Sequence, residues 1–394
     1  MRAVLVARDI APSQAFERVR DSLLETGKFG VIPVLGRGKA LEVLDDKIVA
    51  AVRSADVLLV GMSANANTAR EEIVSCMAAR EARIPYGLYA DTFGCAHNRN
   101  WFESVRADAS FVFVLSEKEA REARKVFLKA KVISSGNPLW DEFYFPKLSY
   151  EESRAKLGIR LDETFVLVVG HKPSAITMPM WSSVLEAFNL DWMVTGRRKW
   201  QLVFSRHPGD RVEMDDGMRN FIKDYAAKHR DADNRALDEK EVEKTFTAFE
   251  EMSRVKSYQE LMKWNAIPAR VISAKEVSIS DLIPGCDLLI GPASTTEIEA
   301  VCQRKPVISL LNVTTSVRLK GVSGGKWELV EEGVTSYVGG EPQYIANSVI
   351  DLLEQRNVLC RELRVKQEQL YPKPTEKGVA LRAIVSTLRE FAKK

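Results

Sequence analysis

Short apolar runs that alternate with amphipathic helical stretches, beginning at the second residue, limit what this chain can fold into more than any other feature. "RAVLVARD" (2–9) reads as a buried strand, "SQAFERVRDSLLETG" (13–27) as an amphipathic helix with a glycine stop, and "ADVLLVGMSA" (55–64) as a second buried strand. "TAREEIVSCMAAREA" continues as helix, "PYGLYADTFG" as strand and turn, "ASFVFVLSEKEAREARKVF" as strand and helix, and "KVISSG" as a last strand. Strands separated by helices cannot pair as hairpins, so the pattern specifies a parallel sheet covered by helices on both faces. After a polar helical segment at 146–161 the pattern restarts with "ETFVLVVGHKPS" (163–174) and "KWQLVFSRHPGD" (199–210). The expected architecture is α/β, two Rossmann-like doubly wound domains in tandem, at 1–160 and 161–375. A charged helical insertion is expected near 231–264.

A chain of 394 residues with 45% hydrophobic content can fill two cores, and more than one core is the expectation at that length. The formal net charge of +3 and pI near 8.4 admit anionic ligands but lack the strongly basic footprint of a dedicated nucleic-acid binder. Five cysteines without a CxxC pair argue against a disulfide framework and suit a reducing, cytoplasmic setting. The N-terminal apolar run is too brief for a signal peptide, and no stretch reaches the length of a membrane span, so any membrane contact is expected to be peripheral.

The stretch at 287–300, "DLLIGPASTTEIEA", runs a strand through a Gly-Pro break into a helix whose mouth carries three hydroxyls. Ser294 with Glu297 three residues on fits a capping box. The same hydroxyls, with the unpaired N–H groups and positive dipole end of the helix, also fit an anion such as phosphate. Ligands of open α/β sheets collect at the carboxyl ends of strands. Other strand ends of the second block carry His171 and Lys172, then Arg206 and His207, and two of the chain's four histidines therefore fall at one sheet edge. A diphosphate suits such an edge. Asp231 and Asp233 form an Asp-x-Asp pair, but it follows a helix rather than ending a strand, and no metal site is assigned to it.

"SGNPLWDEF" (135–143), "VVGHK" (168–172), "SRHP" (205–208), "STTEIEA" (294–300) and "KPVISL" (305–310), in this order, resemble the GT-B superfamily of nucleotide-sugar enzymes. The resemblance implies two domains facing a cleft, a nucleotide-sugar donor (UDP- or CMP-linked) in the C-terminal domain, an acceptor in the N-terminal one, and no cofactor. It places His207 on the nucleotide phosphate, Ser294, Thr295 and Thr296 around the phosphates, and Glu299 on the ribose hydroxyls. Cap and phosphate site then become one device. It also implies that the closing residues, 376–394, pack back on the N-terminal domain.

The superfamily includes non-hydrolysing UDP-N-acetylglucosamine 2-epimerases, whose N-terminal acidic motifs are replaced here by Gly61-Met62-Ser63 and by Tyr89. Asp91-Thr92-Phe93-Gly94 instead resembles the acidic-glycine motif of bacterial sialyltransferases and capsule-polysaccharide transferases, which supplies a general base. Asp-x-x-Gly also suits an ordinary turn, and His97 is the other candidate base. The expected activity is glycosyl transfer to an acceptor hydroxyl, inverting and independent of metal, with a glycan or lipid-linked acceptor. The alternatives are an epimerase-like isomerase and a phage-type enzyme that glycosylates modified DNA bases.

Overall fold

The computed structural model describes the chain apart from residues 31, 37–45, 172–173, 195, 197, 208–222, 225–226, 228–237, 264, 274–275, 312–318, 320–326, 355–357 and 393–394. It divides into two compact units. The first comprises Met1–Phe145, Arg318–Glu328 and Lys373–Lys394, and the second Pro146–Val317 and Leu329–Pro372.

The first unit is built on a parallel sheet of β1 (Ala3–Val6), β2 (Val34–Leu35), β3 (Val57–Gly61), β4 (Tyr86–Tyr89), β5 (Phe111–Val114) and β6 (Lys131–Ser134), ordered β2-β1-β3-β4-β5-β6. Alternate residues of a strand point to opposite faces. Val4 and Val6 accordingly join Val52, Cys76 and Ala79 in one apolar layer. Leu5 joins Phe16, Val19 and Leu23 of the Ile10–Glu25 helix in the other. That second layer also takes Ile384, Val385 and Leu388 from the Val379–Phe391 helix. Each such side chain contributes roughly 1.5–3 kcal/mol by leaving water. Gly87 on β4 lies opposite Phe111 on β5, and a Cβ at position 87 would sit 2.0 Å from the Phe111 ring. The glycine is what lets that ring lie over the strand, where it meets Phe391 at 4.7 Å between centroids.

The second unit repeats the design with β7 (Thr164–Val169), β8 (Trp200–Ser205), β9 (Ala269–Ile272), β10 (Leu288–Gly291), β11 (Val307–Leu310) and β12 (Ser336–Val338). All pairs are parallel and the order is β12-β11-β10-β7-β8-β9. Its core packs Val166 and Val168 against Trp181 and Tyr258, the latter from a single helix spanning Glu239–Lys263. Asp231 and Asp233 lie outside the described residues. Among the described residues no helix is long and apolar enough to cross a membrane, and all five cysteines are buried thiols.

Candidate functional site

The strand orders locate the sites. In the second unit the chain winds from β7 outward to β9, then returns to the other side of β7 with β10, so the switch point lies between β7 and β10. The connections that leave these two paired strands run to opposite faces of the sheet and leave a crevice at the carboxyl ends. β7 delivers His171 to that edge, β8 delivers His207, and β10 delivers the 294–296 hydroxyls. The His171 and His207 rings stack with centroids 6.2 Å apart and planes 27° from parallel. His171 is pinned through its backbone: its N–H donates to Thr177 Oγ1 (2.8 Å), whose hydroxyl donates back to the His171 carbonyl (2.9 Å). Arg206 belongs to the other face of β8, buried with its guanidinium 5.5 Å from the centre of the Tyr258 ring. Lys172 lies outside the described residues.

At the end of β10 the chain turns through Ala293 with φ +59, a left-handed conformation costly for a residue with a Cβ. Ser294 then takes an extended N-cap conformation before the Thr295–Cys302 helix. Glu297 is wholly buried and turns back over the bend, accepting the Ala293 N–H at 2.6 Å and, at 3.4 Å, the Ser294 N–H. Its other oxygen accepts the Ser309 hydroxyl at 2.6 Å, and Ser309 in turn meets Thr335 at 3.0 Å. Glycine is required at 291, where a Cβ would sit 2.6 Å from Glu297 Oε1. Glu297 thus fixes the bend, while the Ser294 hydroxyl oxygen is buried without a hydrogen-bond partner among the described residues. Of the first-turn N–H groups, that of Glu297 turns back to the Ser294 carbonyl at 3.0 Å, and those of Thr295 and Thr296 stand at the mouth. Thr295 is exposed beside them and Thr296 half-buried. One turn in, Glu299 is buried and accepts the Ser280 hydroxyl at 2.9 Å.

In the first unit the switch point falls between β1 and β3, and a carboxylate closes it. Glu72, fully buried on the Arg70–Glu81 helix, accepts the Arg8 N–H (3.0 Å), the Ser63 N–H (2.8 Å) and the Ser63 hydroxyl (2.8 Å). Burial pushes its carboxyl up to about 7 despite those donors. Asp9 adds a second stitch by accepting the Ala64 N–H at 2.9 Å.

Asp91 follows β4 on the adjoining strand end and is buried. Burial raises its carboxyl to about 6, against the Arg99 guanidinium, which lowers it; Asp9 adds to the rise. Arg99 Nη1 approaches Asp91 Oδ1 to 3.9 Å, and Asn137 Nδ2 donates to the Asp91 carbonyl at 3.4 Å. The turn beyond it closes through Gly94 at φ +71, whose N–H donates to the buried Glu119 at 2.9 Å. His97 is half-buried and its charged neighbours are Glu122, Arg106, Glu328 and Lys125, with burial lowering the imidazole below its ordinary value. Asp91 and His97 therefore have different charged neighbours. Arg99, Glu72, Asp9 and Glu119 went unnoticed in the sequence. Only Glu72, an acid in the first turn of a helix that follows a strand end, carries a local signal.

Two doubly wound parallel units in tandem, each with polar groups gathered at its switch point, define the GT-B fold. Solved structures share it across the whole chain. The UDP-N-acetylglucosamine 2-epimerase of Neisseria meningitidis bound to UDP-GlcNAc matches 99% of this chain and 100% of its own, with 15% identity and a TM-score of 0.56. A glycosyltransferase of Rickettsia africae matches 100% and 99%, with 13% identity and a TM-score of 0.55. The wall teichoic acid polymerase TagF matches 100% of this chain and 89% of its own, with 12% identity and a TM-score of 0.51. No protein-family model matches the chain. Nor does any curated protein.

Proposed function

We propose that the protein is a nucleotide-sugar-dependent glycosyltransferase that inverts the anomeric centre without a metal. The observation that carries the reading is the buried, unpartnered Ser294 hydroxyl at a helix mouth on the β7/β10 switch point, on the sheet edge that also carries the stacked His171 and His207 rings. Glu297 holds the Ser294 N–H, and the Ser294 hydroxyl stands in N-cap position over the first turn, where it suits a ligand oxygen as well as the helix. Helix N–H groups with two imidazoles suit a diphosphate, and Glu299, oriented by Ser280, suits ribose hydroxyls. Lys172 keeps its place in the proposal from its sequence position alone. Arg206, packed on Tyr258, serves by its charge near the edge. The Neisseria enzyme binds UDP-GlcNAc on this fold, which supports a nucleotide sugar as the donor.

In the first unit Asp91 takes the proton from an acceptor hydroxyl. The acceptor oxygen then bonds to the anomeric carbon, and the bond from that carbon to the phosphate oxygen breaks with its electron pair leaving on the nucleotide. Charge growing on the phosphate meets the helix mouth and the histidines, groups already in place before reaction. Calorimetry with UDP, CMP, CDP, GDP and ADP, with and without magnesium, tests the donor site. Binding of one nucleotide without magnesium, weakened when Glu299 is replaced, is the expected result, and no binding by any of them would sink the reading. Incubation with UDP-N-acetylglucosamine alone separates the epimerase: its conversion to a second free sugar nucleotide would replace transfer as the activity.

A further inference from the structure

Asp91 and Arg99 form an ion pair of unusual geometry. Both side chains are more than nine-tenths buried, their facing atoms stand 3.9 Å apart, and neither Asp91 Oδ1 nor Arg99 Nη1 has a hydrogen-bond partner among the described residues. An arginine and a carboxylate free to settle against one another close to about 2.7–2.9 Å. Arg99 is not free to do so. Its Nη2 donates to Thr92 Oγ1 at 3.0 Å, and its carbonyl accepts from Arg106 Nη2 at 2.6 Å. One end of the guanidinium is tethered to Thr92 and the backbone that carries it is held by Arg106, which leaves the free end one step short of its partner.

We infer that Arg99 is the positioning residue for Asp91: from the buried side it fixes where the carboxylate points and keeps it ionised without hydrogen-bonding it, so that the carboxylate can still take the acceptor's proton. The inference rests on Asp91 being the base. The spacing matters because Asp91 Oδ1 keeps its lone pairs for the acceptor hydroxyl, while a cation beyond hydrogen-bond reach still favours the ionised form through its field. Beside Arg99 only the backbone N–H of Asp91 itself lowers the carboxyl, and by less; Asp9 from the loop after β1 is acidic, and Tyr89 and Cys95 are buried and held protonated by burial. Glu72 faces Arg99 from the neighbouring helix. Among these groups Arg99 is the cation that offsets the burial of Asp91.

The test is direct titration of the Asp91 carboxyl by carbon-13 NMR in the full, ligand-free chain labelled at aspartate, with Asp91→Asn identifying the resonance. The midpoint is expected near 6 in the unaltered protein. Arg99→Gln is expected to raise it by about one unit or more, the effect of removing a cation at this range, while Arg99→Lys restores most of the difference. An unmoved midpoint in Arg99→Gln overturns the inference. A variant that fails to fold reveals itself by titrating near the free aspartate value of about 4, in the opposite direction. In that case Thr92→Val takes its place: releasing one tether lets the guanidinium close on the carboxylate and lowers the midpoint, and no change there overturns the inference equally. The premise is checked apart from the pair. Asp91→Asn that still transfers sugar at the full rate overturns the base assignment, whatever the titration of Asp91 shows.

Discussion

Glu297 and Glu299 stand two residues apart on one helix and face different partners. Replacing Glu297 by alanine takes the carboxylate acceptor from the Ala293 N–H and leaves the Ser309 hydroxyl with Thr335 alone, in a dry interior. A loss on the order of 2–4 kcal/mol is expected in urea unfolding. Glu299→Gln preserves size and the Ser280 contact, so it is expected to leave the unfolding midpoint nearly unchanged while weakening nucleotide affinity about tenfold, equivalent to roughly 1.4 kcal/mol. Equal affinity in that variant would remove Glu299 from the ribose. Asp91→Asn is expected to bind nucleotide as before and to transfer no sugar. The hydroxyls at 294–296 and the histidines at strand ends were legible in the sequence because each is announced by its immediate neighbours. The Asp91–Arg99 pair was not, since its meaning lies in a distance through space, with Thr92 holding the guanidinium and Arg106 the backbone beneath it. Asp91 and His97, six positions apart and both candidates for one role, are parted by the turn at Gly94, which a linear reading cannot resolve.

At the scale of elements, the strands were legible because burial on both faces writes them as unbroken apolar runs: "VLLVG" and "FVFV" are buried at every position. β2, two residues long and only half-buried, gives no such signal. The join between β1 and β3 was equally silent, because it depends on Glu72 from a helix sixty-odd residues beyond Arg8. That join should respond to pH in a definite direction. Glu72 and Asp91 hold their protons more tightly folded than unfolded, so the stability they confer is fully present below about pH 4 and is lost as pH rises to about 7. Glu72 alone accounts for a change on the order of 3 kcal/mol. Urea unfolding at pH 5 and pH 7.5 should show the decline, and Glu72→Gln should flatten it; an equally steep decline in the variant would clear Glu72 of responsibility. Between β4 and β5, Gly87→Ala forces a methyl into the Phe111 ring and should cost about 3 kcal/mol, read in the same measurement.

At the scale of the whole molecule, each unit is a doubly wound sheet, but they are assembled differently along the chain. The second unit is complete once Pro372 has been added. The first, though it begins at Met1, is completed by Lys373–Lys394, whose helix lays Ile384, Val385 and Leu388 against the layer shared by Leu5 and Phe16. On the ribosome, then, the part made first is finished last. At about 5–20 residues per second, the part of the β1, β3 and β5 face that this helix covers, beyond the reach of the Ile10–Glu25 helix, waits some ten to fifty seconds. Throughout that interval the nascent chain carries a sticky sheet face, and chaperone traffic on this protein should concentrate there.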